Sequence, residues 1–126
     1  MFISESANNS VKNKILSLKD AKEYNLGLKT LPEKCVWSLK EKGIIFCAVP
    51  FTLDSADYPD DWYRGKISFK DAIFKINYLT GENKVVGEEI LTLDFDAINP
   101  FLSSDEKYLF FTNKKDSALW SLKMSE

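Results

Sequence analysis

Two stretches of the chain decide the fold: VWSLKEKGIIF at residues 36–46 and PFLSSDEKYLFF at residues 100–111. Each reads as a short apolar strand, a polar turn and a second apolar strand. At an offset of 65 residues they pair Trp37 with Leu102, Ser38 with Ser103, Lys42 with Lys107 and Phe46 with Phe111. Similarity at a fixed spacing indicates a chain built from repeated units.

The repeat extends to both sides of these two hairpins. A further strand follows each of them, AIFKINYLTG at residues 72–81 and ALWSLKM at residues 118–124. The N-terminal segments MFIS (1–4) and KILSLKD (14–20) match the second and third strands of another copy. A period of about 40–50 residues, with a small antiparallel sheet in each copy, is typical of a β-propeller blade.

The hydrophobic pattern separates inner from outer strands. Residues 44–49 and 108–111 are almost continuously apolar, as expected of strands that are covered on both faces. Residues 73–78 and 119–123 come closer to the alternation of a strand with one wet face. The sequence therefore predicts an all-β protein, a partial β-propeller of antiparallel four-stranded blades. The alternative is a β-sandwich or a meander.

The predicted organisation is a single propeller fragment over residues 1–126. An incomplete first blade takes residues 1–30, a complete blade with an insertion at 52–71 takes 31–93, and a last blade lacking its outer strand takes 94–126. The chain is thus expected to be the C-terminal portion of a longer propeller or to self-associate, because open faces and edges leave apolar groups bare. The predicted strands are 2–3, 14–18, 24–28, 35–38, 44–51, 72–78, 84–91, 97–102, 108–112 and 118–123.

Residues 102–110, LSSDEKYLF, followed by SALWSL at 117–122, resemble the TolB-type, WD-repeat-like propeller repeat. The signature of that repeat is a Ser-Pro-Asp-Gly-Lys-like turn, and here Ser104 stands where Pro is usual and Glu106 where Gly is usual. The resemblance implies the fold and says little about function. It also implies that the connectors from second to third strand, and from fourth strand to the next blade, share the face that usually carries ligands.

The insertion on that face is the predicted binding surface. Aromatic rings together with Arg are common anchors of recognition surfaces. The candidate binding residues are Tyr58, Asp60, Asp61, Trp62, Tyr63 and Arg64. The alternative is that Trp62 and Tyr63 fold the loop onto its own blade as a local core.

No catalytic residue and no cofactor are expected. The chain has no His, which removes the commonest general base and most zinc sites. Ca²⁺ is the alternative, since Asp54, Asp57, Asp60 and Asp61 carry carboxylate oxygens, although their spacing is not that of a calcium loop. Glu33 and Lys34, at the same rim, are expected to be an exposed pair.

The charge balance limits the partners. Seventeen basic and 19 acidic residues give a net charge of -2 with no basic block, so nucleic acid is not an expected partner. No apolar run reaches the roughly 18 residues of a membrane span, so no membrane insertion is expected. The N-terminus lacks signal-peptide features, and a cell-envelope or exported parent protein stays open.

The two cysteines are predicted to face each other. A hairpin turning about Glu41 places Cys35 opposite Cys47. Opposed Cβ atoms lie about 4.5–5.5 Å apart, wider than a relaxed disulfide requires, so two buried thiols are favoured and a disulfide between them is the alternative.

Three functions fit these features. The first is a non-catalytic binding or scaffolding propeller that recognises a protein or glycan through the insertion. The second is the propeller accessory domain of a peptidase-type hydrolase. The third is a small protein that assembles with its own copies into a closed propeller.

Overall fold

The chain forms an all-β structure of short antiparallel strands. The computed structural model describes residues 2–7, 10–16, 22–26, 30–51, 69–90 and 93–124. In these stretches there are ten strands and two short 3₁₀ helices but no α-helix, so the all-β prediction is confirmed. No helix among them is long and apolar enough to cross a membrane.

The strands form three antiparallel sheets, each with its strands in chain order. The first sheet contains β1 (Phe2–Ala7), β2 (Ser10–Leu16) and β3 (Glu23–Leu26). The second contains β4 (Cys35–Trp37), β5 (Ile44–Pro50), β6 (Asp71–Asn77) and β7 (Asn83–Val86). The third contains β8 (Ala97–Leu102), β9 (Tyr108–Asn113) and β10 (Ala118–Lys123). The 3₁₀ helices are Pro32–Lys34 and Glu88–Ile90.

Most predicted strands lie within a residue or two of the observed ones, with two exceptions. The strand predicted at 84–91 ends at Val86, because Gly87 takes a φ of 69° and a 3₁₀ helix follows. The strands predicted at 2–3 and 14–18 are neighbours, as expected, but they extend toward each other as Phe2–Ala7 and Ser10–Leu16, with a register from Phe2↔Ile15 to Ala7↔Ser10.

The register at the β4–β5 hairpin follows the prediction, whereas the state of its cysteines does not. Cys35 pairs with Cys47, as the turn about Glu41 requires. The two residues form a disulfide, so the expectation of free thiols is wrong. Their Cα atoms are 4.1 Å apart, closer than the roughly 4.5–5.5 Å of typical opposed pairs, which brings the side chains within bonding reach.

The second sheet is packed on both faces. On one face Ile15 of the first sheet lies in a core with four residues of the second: Ile45, Cys47, Val49 and Ile76. Edge-on ring contacts of Tyr78 with Tyr24 at 5.3 Å and with Trp37 at 5.8 Å extend this core. Burying each large apolar side chain contributes about 1.5–3 kcal/mol.

A second core fills the other face of the second sheet. It contains Ala48 and Ile73 of the second sheet and Phe95, which precedes the third sheet. The third sheet itself contributes Ala97, Leu109, Phe111 and Leu122. Every residue of β5 after Ile44 is therefore buried, as predicted for an inner strand. The residues that the structure describes thus form two separate hydrophobic clusters, one on each face of the second sheet.

The β4–β5 and β8–β9 hairpins, which the sequence aligns at an offset of 65 residues, match at a different offset after their turns when their strand registers are compared. Trp37 pairs with Ile45, and Leu102, its counterpart, pairs with Leu109. The turn of the third sheet is thus one residue shorter, and the spatial counterpart of Phe46 is Phe110. The pairing of Phe46 with Phe111 is wrong by one residue, which in a strand exchanges the two faces.

Candidate functional site

Three connectors meet at one end of the sheets, called here the connector end: residues 30–34 before β4, 69–70 before β6 and 93–96 before β8. Antiparallel alternation places the starts of these strands at the same end. The connectors are bonded to one another, for example by the Asp71 N–H to the Phe95 carbonyl at 2.9 Å.

A buried ion cluster lies at the connector end. The Lys34 Nζ atom donates hydrogen bonds to Asp71 Oδ2 and Asp96 Oδ1, both at 2.5 Å, and to the Ala97 carbonyl at 3.0 Å. The side chains of Lys34 and Asp71 are 0% exposed and that of Asp96 is 1% exposed. These three residues are called here the buried cluster.

The expectation that Lys34 belongs to an exposed pair with Glu33 is wrong. The 3₁₀ helix Pro32–Lys34 turns the chain immediately before β4, and the Lys34 N–H bonds back to the Leu31 carbonyl. Asp71, which begins β6 in the second sheet, and Asp96, which precedes β8 in the third, then supply the counter-charges that a fully buried ammonium requires.

The cluster holds two carboxylates against one ammonium. Burial is the largest influence on Asp71 and, with repulsion from Asp96, outweighs the attraction of Lys34 and the Ala97 N–H, raising the pKa of Asp71 to about 6. Asp71 Oδ1 is buried and has no hydrogen-bond partner among the described residues. A carboxyl in this setting takes up a proton at a higher pH than a solvated one does.

The carboxylates also organise the surrounding backbone. Asp71 Oδ2 accepts the Ala97 N–H at 2.7 Å, and Asp96 Oδ2 accepts the Phe69 N–H at 3.1 Å. The Asp96 N–H in turn donates to Asn113 Oδ1 at 3.1 Å. The buried cluster therefore ties the second sheet to the third. Its polar atoms are inaccessible to a substrate, and its geometry suits a structural clasp.

The residues that flank the undescribed part of the insertion are hydrogen-bonded at the connector end. The Phe51 N–H donates to the Lys70 carbonyl at 2.9 Å, which joins the last residue before the described gap to one just after it. Phe69 is buried, and its ring centroid lies 5.1 Å from the Lys34 ammonium. Phe51 and Phe69, which flank the undescribed residues 52–68, are therefore each held by a hydrogen bond at the connector end.

The predicted binding residues Tyr58, Asp60, Asp61, Trp62, Tyr63 and Arg64 lie outside the described residues, as do Asp54 and Asp57. Among the residues that are described, no group of three or more His, Cys, Asp or Glu side chains is arranged to hold a metal ion.

A second polar feature lies at the opposite end, where the β4–β5 and β8–β9 turns meet. The Glu106 carboxylate accepts hydrogen bonds from the Ser38 hydroxyl at 2.5 Å and from the Leu39 and Lys40 N–H groups at 2.9 and 3.0 Å. Burial opposes ionisation of Glu106, but these bonds prevail and lower its pKa. A cavity of about 360 Å³ adjoins it, lined by Lys40, Glu41, Phe46, Lys75, Val86, Asp105, Glu106 and Met124.

This second feature offers little for a ligand to bind. Glu106 already accepts three hydrogen bonds, and Lys75 is paired with Glu41 at 2.9 Å. The cavity rim carries both signs of charge and favours neither anions nor cations. The connector end is therefore the better candidate site.

Sequence reasoning located the connector end but missed the buried cluster. The signal for it is positional: Lys34 and Asp96 each directly precede a strand, Asp71 begins one, and all three strands start at the same end. Charged residues of opposite sign at such positions meet when the sheets stack.

Comparison with known proteins gave no match to a family model, a curated protein or a solved structure. The TolB-type, WD-repeat-like resemblance therefore stays a prediction that is carried by residues 102–110 and 117–122.

Proposed function

We propose that the chain is a non-catalytic binding or scaffolding module of β-propeller type, TolB-like in its repeat, which recognises a protein or glycan through the insertion at 52–71. The observation that carries the proposal is the anchoring of the insertion. Phe51 and Phe69, at its two ends, are bonded to the backbone of Lys70 and to the Asp96 carboxylate of the buried cluster.

The sense of sheet stacking supports the propeller arrangement. Ile45 of the second sheet faces the first sheet, and its counterpart Leu109 in the third sheet faces the second. Equivalent faces thus point the same way along the series, as blades around an axis require. A simple sandwich of two repeats related by a two-fold axis would instead place equivalent faces against each other.

The hydrogen bonds that hold Phe51 and Phe69, at the two ends of the insertion, favour recognition by the residues between them. Ordering a loop on binding costs free energy, and anchored loop ends reduce that cost. The aromatic residues and Arg64 bring large contact areas, while Asp60 and Asp61 add hydrogen-bond acceptors. A protein surface or a glycan, each offering apolar and hydroxyl or amide groups, suits this composition.

The proposal assigns no catalysis to the buried cluster. Lys34 Nζ already donates three hydrogen bonds and is fully buried, so it reaches no substrate. The chain also has no His to serve as a general base.

The double variant Trp62→Ala/Tyr63→Ala tests the proposal. Binding of wild type and variant to a glycan array, and to cell-lysate proteins quantified by mass spectrometry, is compared at equal concentration. We expect a reproducible ligand of the wild type to lose at least about tenfold in affinity, with a melting temperature within about 2 °C of wild type.

Leu39→Ala, at the exposed turn on the opposite end, is the matched control and should bind as wild type does. Retained binding in the double variant, or a large fall in melting temperature with binding intact, would assign Trp62 and Tyr63 to a local core instead.

A further inference from the structure

Asp71 is a fully buried carboxylate whose two oxygens have different surroundings. Its Oδ2 atom accepts hydrogen bonds from Lys34 Nζ at 2.5 Å and from the Ala97 N–H at 2.7 Å. Its Oδ1 atom is buried and has no hydrogen-bond partner among the described residues. A buried charge without full hydrogen bonding costs free energy. A proton on Oδ1 would remove that charge and would displace neither donor at Oδ2.

The charges that act on Asp71 come from two other segments of the connector end. Lys34, on the 3₁₀ helix before β4, attracts the carboxylate, and Asp96, on the connector before β8, repels it. Both oxygens of Asp96 accept hydrogen bonds, from Lys34 Nζ and from the Phe69 N–H. Glu33 precedes Lys34 in the same helix, and its Oε2 atom is also buried with no partner among the described residues. Within the buried cluster, Asp71 is therefore the carboxyl that can take up a proton without losing a hydrogen bond.

The buried cluster holds the three connectors against one another. Lys34 bonds both carboxylates, Asp71 holds the Ala97 N–H, and Asp96 holds the Phe69 N–H. Local opening of the connector end would separate these groups and return Asp71 to water. A proton that binds the closed arrangement more tightly than the open one favours closure, by the same linkage as any ligand.

We infer that Asp71 is a proton-binding site that controls local opening of the connector end, with the protonated cluster closed and the deprotonated cluster more easily opened. The control reaches the base of the insertion through Phe69, whose ring lies 5.1 Å from the Lys34 ammonium. The pKa of Asp71 is raised from 3.8 to about 6, so closure is favoured most below about pH 4 and this advantage is lost as the pH rises through 6.

Amide hydrogen exchange of the wild-type chain tests this control. The N–H groups of Phe69 and Ala97 donate to the two carboxylates, and their exchange rates, divided by the intrinsic rate at each pH, give the opening constant. We expect that constant to rise about tenfold from pH 5 to pH 7. It should also exceed the global unfolding constant from urea denaturation at each pH. Opening constants that do not vary with pH, or that equal the global unfolding constant, would overturn the inference.

The carboxyl carbon resonances identify the group that takes up the proton. In carbon-labelled wild type, the Asp71 resonance should titrate with a midpoint at about pH 6, and the opening constants should follow the same midpoint. A titration at this midpoint by Asp96 or Glu33, with none at Asp71, would assign the proton to another group and would also overturn the inference.

Asp71→Asn is the matched variant, because the amide keeps the size of the carboxyl and an oxygen acceptor but does not titrate. Its opening constants at Phe69 and Ala97 should change by less than about twofold from pH 5 to pH 7, and a persisting tenfold rise would contradict the role of Asp71. Asp105→Asn, an exposed carboxyl at the opposite end, is the control and should keep the wild-type rise. If Asp71→Asn does not fold, the two wild-type measurements decide the question.

None of these measurements uses a ligand or changes the insertion. A failure here is therefore distinguishable from a failure of the Trp62→Ala/Tyr63→Ala experiment.

Discussion

Lys34 shows how one buried charge fixes the junction of two sheets. Its ammonium neutralises part of the charge on Asp71 and Asp96, and those carboxylates hold the backbone at Phe69 and Ala97. Removing the ammonium takes away the positive charge that Lys34 supplies to two buried carboxylates, whereas removing all three charges together leaves none of these charges buried.

Lys34→Met is expected to lower the free energy of unfolding by about 3–5 kcal/mol, measured by urea denaturation. The triple variant Lys34→Met/Asp71→Asn/Asp96→Asn should recover much of that loss, because no charge stays buried. Lys115→Met, which removes a partly exposed pair with Asp94, should cost less than about 1 kcal/mol. Equal losses for Lys34→Met and Lys115→Met would contradict the role of the buried cluster.

The raised pKa of Asp71 makes the free energy of unfolding depend on pH. Its pKa is about 6 in the folded chain against an ordinary value of 3.8, so between these values the folded state holds more protons than the unfolded state. The contribution of Asp71 to stability is therefore greatest below about pH 4 and is lost as the pH rises through 6.

The difference in unfolding free energy between wild type and Asp71→Asn isolates this effect. We expect wild type to lose about 2–3 kcal/mol relative to Asp71→Asn between pH 4 and pH 7. The lowered pKa of Glu106 acts in the opposite sense, since its contribution is lost as the pH falls, but it is common to both proteins and cancels. A difference that does not vary with pH would show that Asp71 titrates normally.

At the end of β7, Gly87 lies directly against a side chain of the third sheet. Gly87 has a φ of 69°, and a Cβ placed there would lie 2.6 Å from Leu122 Cδ2 in β10. Larger residues at this position meet both backbone strain and the side chain of a neighbouring sheet.

Gly87→Ala is expected to cost about 2–4 kcal/mol in unfolding free energy, from strain and overpacking together. Gly81→Ala is the matched control, because Gly81 has a φ of 84° but nothing within 4 Å of its Cβ position. It should show the strain alone, about 1–2 kcal/mol. If the two variants lose equal stability, the second and third sheets do not approach closely at β10.

The strands were predictable where their bounds depend on residues close in sequence. Continuous apolar runs and polar turns placed β5 and β8 to β10 within a residue or two, and the turn at Glu41 gave the Cys35↔Cys47 register. The end of β7 was not predictable, since it depends on the conformation of Gly87 against a distant strand. The burial of Lys34 was missed for a similar reason, because its partners lie 37 and 62 residues away.

At the scale of the whole molecule, the sequence repeat indicates the sheets but not their sense of stacking. A turn one residue shorter in the third sheet shifts the alignment after it, and a one-residue shift exchanges the faces of a strand. Only the observed registers show that Ile45 and Leu109 are counterparts.

The second sheet lies between the other two, and its opposite faces belong to separate hydrophobic clusters. Nuclear Overhauser contacts between labelled methyl groups of Ile, Leu and Val test it most directly. We predict contacts of Ile15 with the core of Ile45 and Ile76, and of Ile73 with the core of Leu109 and Leu122. Contacts that place Ile15 and Leu109 against the same face of the second sheet would contradict the account.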